Sequence, residues 1–98
     1  MIKTIETQTF DGLNDLEQIF LEKNQFENIE VNLFAGLTKL RLLNLSSNSI
    51  TELPLNIFEK NRLIETVNLS YNLISIIDRE LFKGNIYRFI PTYIINLN

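Results

Sequence analysis

The chain has 98 residues, of which 45% are hydrophobic, and a formal net charge of −3 at pH 7. It contains no histidine and no cysteine, which excludes imidazole bases, thiol nucleophiles, zinc–thiolate sites and internal disulfides. Its nine Lys and Arg are scattered in an acidic chain, which argues against nucleic-acid binding and direct membrane contact. The composition therefore predicts one short domain without a metal or cofactor.

One residue type recurs at a fixed spacing along the chain. Asn24, Asn48, Asn72 and Asn96 stand 24 residues apart, and phenylalanine recurs at the same period from Phe10 onward. Internal repeats with a period of roughly 20–50 residues indicate a solenoid, propeller or array. The spacing therefore predicts one supersecondary unit per 24 residues.

The unit that starts at Leu40 follows a known pattern. Leu40, Leu43, Leu45, Asn48 and Ile50 match L-x-x-L-x-L-x-x-N-x-L, and the neighbouring units match as well. The chain resembles the leucine-rich-repeat family, in its "typical" 24-residue class found in Toll-like receptor and Slit-like ectodomains. The resemblance implies an α/β solenoid of about four coils. It also implies a short parallel concave β-sheet and convex return segments that are irregular or 3₁₀. Extracellular members of the family normally close each end with a cysteine-stapled cap, and because this chain has no cysteine we expect uncapped ends.

In chain order, the repeat divides residues 1–98 into a single array. Residues 1–15 form a partial repeat, residues 16–39, 40–63 and 64–87 form full repeats, and residues 88–98 form a degenerate last unit. Gly12 and Gly36 stand at equivalent places in the first two units, and both predict turns with a positive φ.

Each unit predicts one strand and one return segment. The alternation in Leu43-Asn44-Leu45, and again from Val67 to Leu69, has the period of a half-buried strand. Because every strand runs in the same chain direction, the sheet must be parallel and each return must cross back over it. The recurring phenylalanines predict a buried stack of rings from coil to coil.

The recurring asparagines need partners, since a buried amide is costly unless its donors and acceptor are paired. The amide has two N–H donors and one carbonyl, enough to bond the backbone where a strand turns into its return. The family resemblance implies that Asn24, Asn48 and Asn72 form such a ladder between coils. They are therefore interpreted as structural residues.

The last unit departs from the pattern. Arg88 falls where Leu40 and Ile64 stand in earlier units, and Pro91 falls at the inward strand position of Val67. Asn96 keeps the period of the ladder. Asn61 and Asn85 replace a leucine found at Leu13 and Leu37, which predicts weaker packing of the later returns.

Binding is expected on the strand residues that point away from the core. Phe20, Leu42 and Tyr71 are the strongest candidates, because aromatic and apolar side chains dominate binding hot spots. The other positions are small or polar, which predicts weak affinity from these repeats alone. The outward positions are Gln18, Phe20, Glu22, Lys23, Leu42, Asn44, Ser46, Ser47, Thr66, Asn68, Ser70 and Tyr71.

Asn44-Leu45-Ser46 and Asn68-Leu69-Ser70 match the acceptor pattern for N-glycosylation. Glycans at Asn44 and Asn68 would obstruct the concave face. The alternative interpretation is that both sequons are by-products of the repeat, whose strand often spells Asn-Leu-Ser.

Catalysis has few candidate residues. The nearest carboxylate pairs are Asp11 with Asp15 and Asp78 with Glu80, and both lie in return segments where charge usually marks a solvated face. No glycine-rich phosphate loop is present, because the three glycines are spread along the chain. The prediction is a protein without enzymatic activity.

The predicted function is non-catalytic binding of a protein partner through the concave sheet, as a fragment of an extracellular or cell-surface receptor or secreted protein. Residues 1–9 lack the apolar stretch of a signal peptide, so the chain taken as complete predicts a cytoplasmic location. Two alternatives stay open: a cytosolic leucine-rich-repeat adaptor or scaffold, and a truncated gene product without independent function. The open stack ends also predict self-association.

Overall fold

A computed structural model describes residues 1–75, Leu81 and the backbone of Thr92–Ile94. Four short strands form one parallel sheet in the order β1-β2-β3-β4. The strands are β1 (Gln18–Phe20), β2 (Leu42–Asn44), β3 (Thr66–Asn68) and β4 (Thr92–Ile94). Sequence order equals spatial order, as expected when each coil stacks on the one before it.

The register of the first three strands follows the 24-residue period. Ile19 is the partner of Leu43, which is the partner of Val67. The N–H groups of Arg41 and Leu42 donate to the carbonyl of Glu17 at 2.8 and 3.0 Å. Glu65 and Thr66 repeat these two bonds, with the same lengths, to the carbonyl of Arg41. The same backbone geometry recurs from coil to coil, which confirms the predicted solenoid.

The register of β4 differs from the prediction. Tyr93, and not Pro91, is the partner of Val67, so this step spans 26 residues instead of 24. The return between β3 and β4 is therefore two residues longer, and the extrapolated period fails there. Arg88, Asn85 and Asn96, which the prediction also addressed, lie outside the described residues.

The return segments are chains of turns. A 3₁₀ helix spans Thr7–Phe10, and the described residues include no α-helix. Gly12 has a φ of +83°, the left-handed conformation that glycine adopts at little cost. The same prediction is wrong for Gly36, whose φ is not positive. A turn in which the N–H of Leu37 donates to the carbonyl of Phe34 carries the chain past Gly36 in an ordinary conformation.

The core is one apolar stack between the sheet and the returns. Leu40, Leu43 and Leu45 are fully buried, and their equivalents in the next coil are buried as well. The rings of Phe10 and Phe34 stack with centroids 6.0 Å apart, and those of Phe34 and Phe58 with centroids 6.4 Å apart. The predicted aromatic stack is confirmed over these three coils. In the described part of the chain, no helix has the length and apolarity to cross a bilayer.

Asn48 joins two coils through its side-chain amide. Its Nδ2 donates to the carbonyls of Leu45 and Ser46 in its own coil, at 3.0 and 3.2 Å. The same Nδ2 donates to the carbonyl of Leu21 in the preceding coil at 3.1 Å. Its Oδ1 accepts from the N–H of Phe26 at 3.1 Å. One side chain therefore satisfies backbone groups on both sides of the coil boundary.

Asn72 repeats this arrangement one coil later, and Asn24 repeats part of it one coil earlier. The Oδ1 of Asn72 accepts from the N–H of Ile50 at 3.0 Å, and its Nδ2 reaches the carbonyl of Leu45 at 2.9 Å. The Oδ1 of Asn24 accepts from the N–H of Ile2 at 3.1 Å. The Nδ2 of Asn24 donates to the carbonyls of Leu21 and Glu22 at 3.1 and 3.2 Å, so both functional groups of each amide are bonded.

Asn61 forms a second contact between coils, on the return side. It is fully buried, and its Nδ2 donates to the carbonyls of Phe34 and Leu37 at 2.8 and 3.0 Å. That Asn61 packs less well than leucine stays a prediction, but its amide adds two hydrogen bonds that the sequence did not indicate. The amide does not merely fill the place of a leucine, because it bonds the preceding return.

We expect Asn61→Leu to lower the free energy of unfolding by about 1 kcal/mol, although it restores the residue type of Leu37. Both acceptor carbonyls keep a backbone donor, from Leu37 and Leu40, which limits the loss. Urea unfolding followed by circular dichroism gives the measurement. A rise in stability would show that packing outweighs the two hydrogen bonds.

Candidate binding surface

The sheet places two rows of side chains on its open face. Residues on either side of the inward position of each strand point away from the core, because side chains alternate along a strand. The first row is Gln18, Leu42 and Thr66, and the second row is Phe20, Asn44 and Asn68. The register therefore brings together six of the predicted contact residues, which we call the concave rows.

Phe20 is the aromatic residue of the concave rows, and its ring is largely exposed. It is 57% exposed, whereas Leu42, its predicted companion, is half-buried. Tyr71 is also exposed, but it lies in the turn after β3 and not on the strand. Among the side chains of β1, β2 and β3 that face outward, Phe20 is thus the one large apolar side chain that is mostly exposed.

Asn44 and Asn68 are held in one orientation by the serines that follow them. The Oδ1 of Asn44 accepts from the N–H of Ser46 at 3.0 Å and from its hydroxyl at 2.7 Å. Asn68 and Ser70 repeat both bonds with the same lengths. Because both acceptor contacts are on Oδ1, each Nδ2 stays available. Within residues 1–75, neither Nδ2 makes a hydrogen bond.

The serines themselves are less available than predicted. Ser46 is half-buried, and Ser70 is only 7% exposed. The carbonyl of Ser70 accepts from the N–H of Ser47 at 2.9 Å, so its backbone is also engaged between coils. Ser70 differs from the prediction of an outward contact because its polar groups serve the local turn.

Lys23, Ser47 and Tyr71 share an unusual backbone conformation. Their φ values are +60°, +57° and +58°, although none is a glycine. Each directly precedes a ladder asparagine, where the chain leaves the strand. The left-handed residue turns the chain sharply enough to bring the next amide inward. Glu22, Lys23 and Ser47 therefore lie at the rim of the sheet, beside the concave rows.

A row of charges precedes the strands. Arg41 contacts Glu65 at 2.7 Å through Nη1 and Glu17 at 3.7 Å through Nε. Lys39 lies 2.9 Å from Asp15, and the hydrogen bond to Asp15, together with the charge of that carboxylate, raises the pKa of Lys39. All five side chains are substantially exposed, so these pairs contribute little stability. Glu17, Arg41 and Glu65 directly precede β1, β2 and β3, so charges of both signs lie at one flank of the concave rows.

Comparison with known proteins identifies the family. The leucine-rich-repeat family model matches residues 1–50 and 40–85, which together cover most of the chain. This chain belongs to the leucine-rich-repeat family. A comparison with curated proteins finds no match.

Two solved structures show the same solenoid. The leucine-rich repeat domain of APL1B aligns with a TM-score of 0.84 at 20% identity, over 99% of this chain and 27% of that chain. A chain of the Toll–Spatzle complex of Drosophila aligns with a TM-score of 0.63 at 23% identity, over 86% of this chain and 14% of that chain. The leucine-rich-repeat chain thus spans about a quarter or less of each of these two structures.

The leucine-rich-repeat chain offers no catalytic arrangement in its described part. Asp15, one member of the first carboxylate pair, bonds Lys39, and Asp11 is a separate exposed side chain. Asp78 and Glu80, the second pair, lie outside the described residues. No group of three His, Cys, Asp or Glu suited to a metal occurs among the described residues. Domains of this family are typically protein-interaction modules.

Two clefts on the return side do not add a small-molecule site. One runs between the returns of consecutive coils, and its lining includes Val31, Ala35 and Ile57. The other is bounded by Ile29, Leu53 and a few polar neighbours. Both are open to solvent, whereas a ligand pocket buries most of the surface of its ligand.

Proposed function

We propose that this chain is a non-catalytic recognition module that binds a protein partner through its concave rows. The exposed ring of Phe20 beside the free Nδ2 of Asn44 carries this proposal. An exposed aromatic ring supplies the apolar contact area that dominates hot spots. The oriented amides of Asn44 and Asn68 supply donors for carbonyl or hydroxyl oxygens of the partner.

We further propose that the module acts outside the cell, as part of a longer receptor or secreted protein. The support is the 24-residue repeat, which resembles the class found in Toll-like receptor ectodomains, and the fold shared with a chain of the Toll–Spatzle complex. Expression in eukaryotic cells with and without an added signal peptide tests the location. A domain adapted to the extracellular space should fold in the secretory pathway and reach the medium in soluble form. Retention of the directed chain as misfolded protein would contradict the proposal.

Glycosylation at Asn44 and Asn68 would exclude binding at the concave rows. The glycan forms its bond at Nδ2, the same atom that the proposed site offers to a partner. Mass spectrometry of the chain secreted from eukaryotic cells measures occupancy at each asparagine. We expect Asn44 to be unmodified. It is the direct neighbour of Phe20 on the sheet, so a glycan there would cover the ring that the proposal needs for binding. Full occupancy at both positions would overturn binding at these rows.

We expect Phe20→Ala to weaken partner binding at least about tenfold, equivalent to roughly 1.4 kcal/mol. A panel of purified secreted proteins, probed with the chain on beads to raise avidity, would supply the partner for this measurement. Biolayer interferometry then compares the variant with the unchanged chain. The ring is exposed, so its removal should leave the unfolding midpoint unchanged.

Leu55→Ala is the matched control. Leu55 is 52% exposed, close to the 57% of Phe20, but it lies on a return segment. Binding that falls with Leu55→Ala and survives Phe20→Ala would move the partner to the convex side and contradict the proposal.

A further inference from the structure

Two serines determine which half of each asparagine amide is offered by the concave rows. The hydroxyl and the backbone N–H of Ser46 both donate to Oδ1 of Asn44, at 2.7 and 3.0 Å, and Ser70 makes the same two bonds to Asn68. If either amide turned over, its NH₂ group would face the N–H of the serine, and that bond would be lost. The oxygen therefore stays on the serine side, and the two N–H donors of Nδ2 remain for a partner.

The register places these donors side by side. Asn44 and Asn68 are partners on β2 and β3, and Phe20 is the partner of Asn44 on β1. Neighbouring strands lie about 4.8 Å apart, so the second concave row presents an aromatic ring followed by two amide donors in equal steps. Neither amide oxygen is available, because each Oδ1 already accepts two hydrogen bonds. The row is therefore complementary to acceptor oxygens.

Charge around the concave rows favours uncharged acceptors. Within three residues of β1, β2 and β3 lie four acidic and three basic side chains, a net charge of −1. A carboxylate of the partner would meet this negative charge. An ammonium or guanidinium group would meet the N–H donors of the row, to which it cannot form a hydrogen bond. Carboxamide and hydroxyl oxygens avoid both conflicts.

The spacing of the row indicates the secondary structure that fits it. From Phe20 to Asn68 the row spans two strand separations, about 9.6 Å. Side chains two turns apart on one face of an α-helix are separated by about 10.8 Å. Side chains four residues apart on one face of an extended strand are separated by about 13 Å. A helix that lies across the strands therefore follows the row more closely than an extended segment does.

Resting on the proposed binding at the concave rows, we propose that the partner presents an α-helix across the strands. The helix packs an apolar side chain on the ring of Phe20 and presents uncharged acceptor side chains, such as glutamine, one and two turns further along. Their oxygens accept from Nδ2 of Asn44 and Asn68, which makes these two asparagines determinants of specificity. Ser46 and Ser70 are positioning residues, because they act through the orientation of the amides.

Three synthetic peptides test this inference on the chain produced in bacteria, which carries no glycan at Asn44 or Asn68. All three are alanine-rich, with leucine at one position and a test residue four and seven residues further on, so that a helix aligns them on one face. The test residue is glutamine in the first peptide and lysine in the second, and the third repeats the first with a helix-breaking proline at its centre. We expect the glutamine peptide to bind at least about tenfold more tightly than either of the others, as measured by fluorescence anisotropy.

Asn44→Asp reverses the polarity of the row at one position. The carboxylate keeps one oxygen for the bonds from Ser46 and places the other where Nδ2 was. The glutamine peptide should therefore bind about tenfold more weakly and the lysine peptide about tenfold more tightly, because a charged acceptor now faces the peptide. Gln25→Glu is the control, since it adds the same charge at an exposed residue outside the rows. It should leave the preference for glutamine unchanged.

Ser46→Ala tests the positioning role. Without the hydroxyl, one of the two bonds that hold Asn44 is lost, so the preference for glutamine over lysine should narrow about fivefold. Ser49→Ala is the matched control, because Ser49 lies in the same coil and is also half-buried, but its hydroxyl makes no hydrogen bond in the described structure. A lower unfolding midpoint of Ser46→Ala with an unchanged preference would contradict the positioning role.

A glutamine peptide that binds no better than the lysine or proline peptide, or a preference that survives Asn44→Asp, would overturn the inference. Phe20→Ala separates this failure from failure of the proposed function. If it weakens binding of a protein partner while the glutamine peptide shows no preference, the concave rows bind that partner through an element other than the proposed helix. If it changes neither protein nor peptide binding, the concave rows are not the binding surface.

Discussion

Phe34→Ala is expected to lower the free energy of unfolding by about 3–5 kcal/mol. The ring is fully buried and stacks between Phe10 and Phe58, with centroids 6.0 and 6.4 Å away. Its removal would open a cavity at two coil boundaries at once. Since a solenoid is stabilised mainly by contacts between neighbouring coils, both boundaries should weaken together. A domain of this size rarely has more than about 5–15 kcal/mol of stability, so the loss is a large share.

Phe10→Ala is the control for this effect. Phe10 is half-buried and, among the described rings, stacks on Phe34 alone, so its removal should cost distinctly less. Urea unfolding at low protein concentration, where association is suppressed, measures both variants. Equal losses at the two positions would show that the end ring is as important as the central ring, contrary to the stacking argument.

The period of the sequence and its resemblance to the leucine-rich-repeat pattern together predicted the fold and the first three strands. The pairs Ile19 with Leu43 and Leu43 with Val67 follow directly from a 24-residue spacing. The prediction worked because the same backbone bonds recur at each boundary, so no new geometry has to be found. The repeat also made the rows of the open face predictable, since side chains alternate along each strand and every second one points outward.

The same reliance on period failed at β4. Tyr93 pairs with Val67, so the sequence pattern resumes two residues later than the extrapolation placed it. With that shift, Ile90, Tyr93, Ile95 and Asn98 match the spacing of Ile64, Val67, Leu69 and Asn72 in sequence. A fixed period cannot reveal an insertion in a return, because returns tolerate extra residues that strands do not.

Some features of the site depend on local bonding that residue types alone do not specify. Lys23 and Tyr71 adopt a left-handed φ that their types disfavour, because the turn into the next asparagine requires it. Ser70 was predicted to point outward, but its hydroxyl bonds Asn68 and the residue is buried. In the sequence, Asn61 stands where earlier units have leucine, and its two carbonyl acceptors in the preceding return become evident only in the structure.

Asn48→Ala is expected to lower the free energy of unfolding by about 1–3 kcal/mol. The substitution leaves the N–H of the buried Phe26 without its acceptor and removes the donor to the carbonyl of Leu21. Asn44→Ala is the control, since Asn44 lies in the same coil, is half-buried, and its side chain bonds only Ser46. It should cost clearly less, and equal losses would contradict a special role for Asn48.

Asn48→Asp separates the donors of the amide from its acceptor. The carboxylate can still accept from the N–H of Phe26, but its second oxygen would face the carbonyls of Leu21, Leu45 and Ser46. Burial and these oxygens disfavour the charged form, so the pKa of the new carboxyl should be higher in the folded than in the unfolded chain. We therefore expect a larger loss of stability than in Asn48→Ala at neutral pH.

The sign of the pH dependence follows from this shift. Protonation restores one donor and removes the charge. The stability that Asn48→Asp loses in excess of Asn48→Ala should therefore shrink as the pH falls toward the unfolded pKa of about 3.9. It should reach its full size above the raised folded pKa. Urea midpoints of the two variants, compared at several pH values, measure the difference and cancel the titration of the other acidic side chains. A difference that does not change with pH would mean that the carboxylate turns to solvent, and that the amide donors of Asn48 do not hold the coils together.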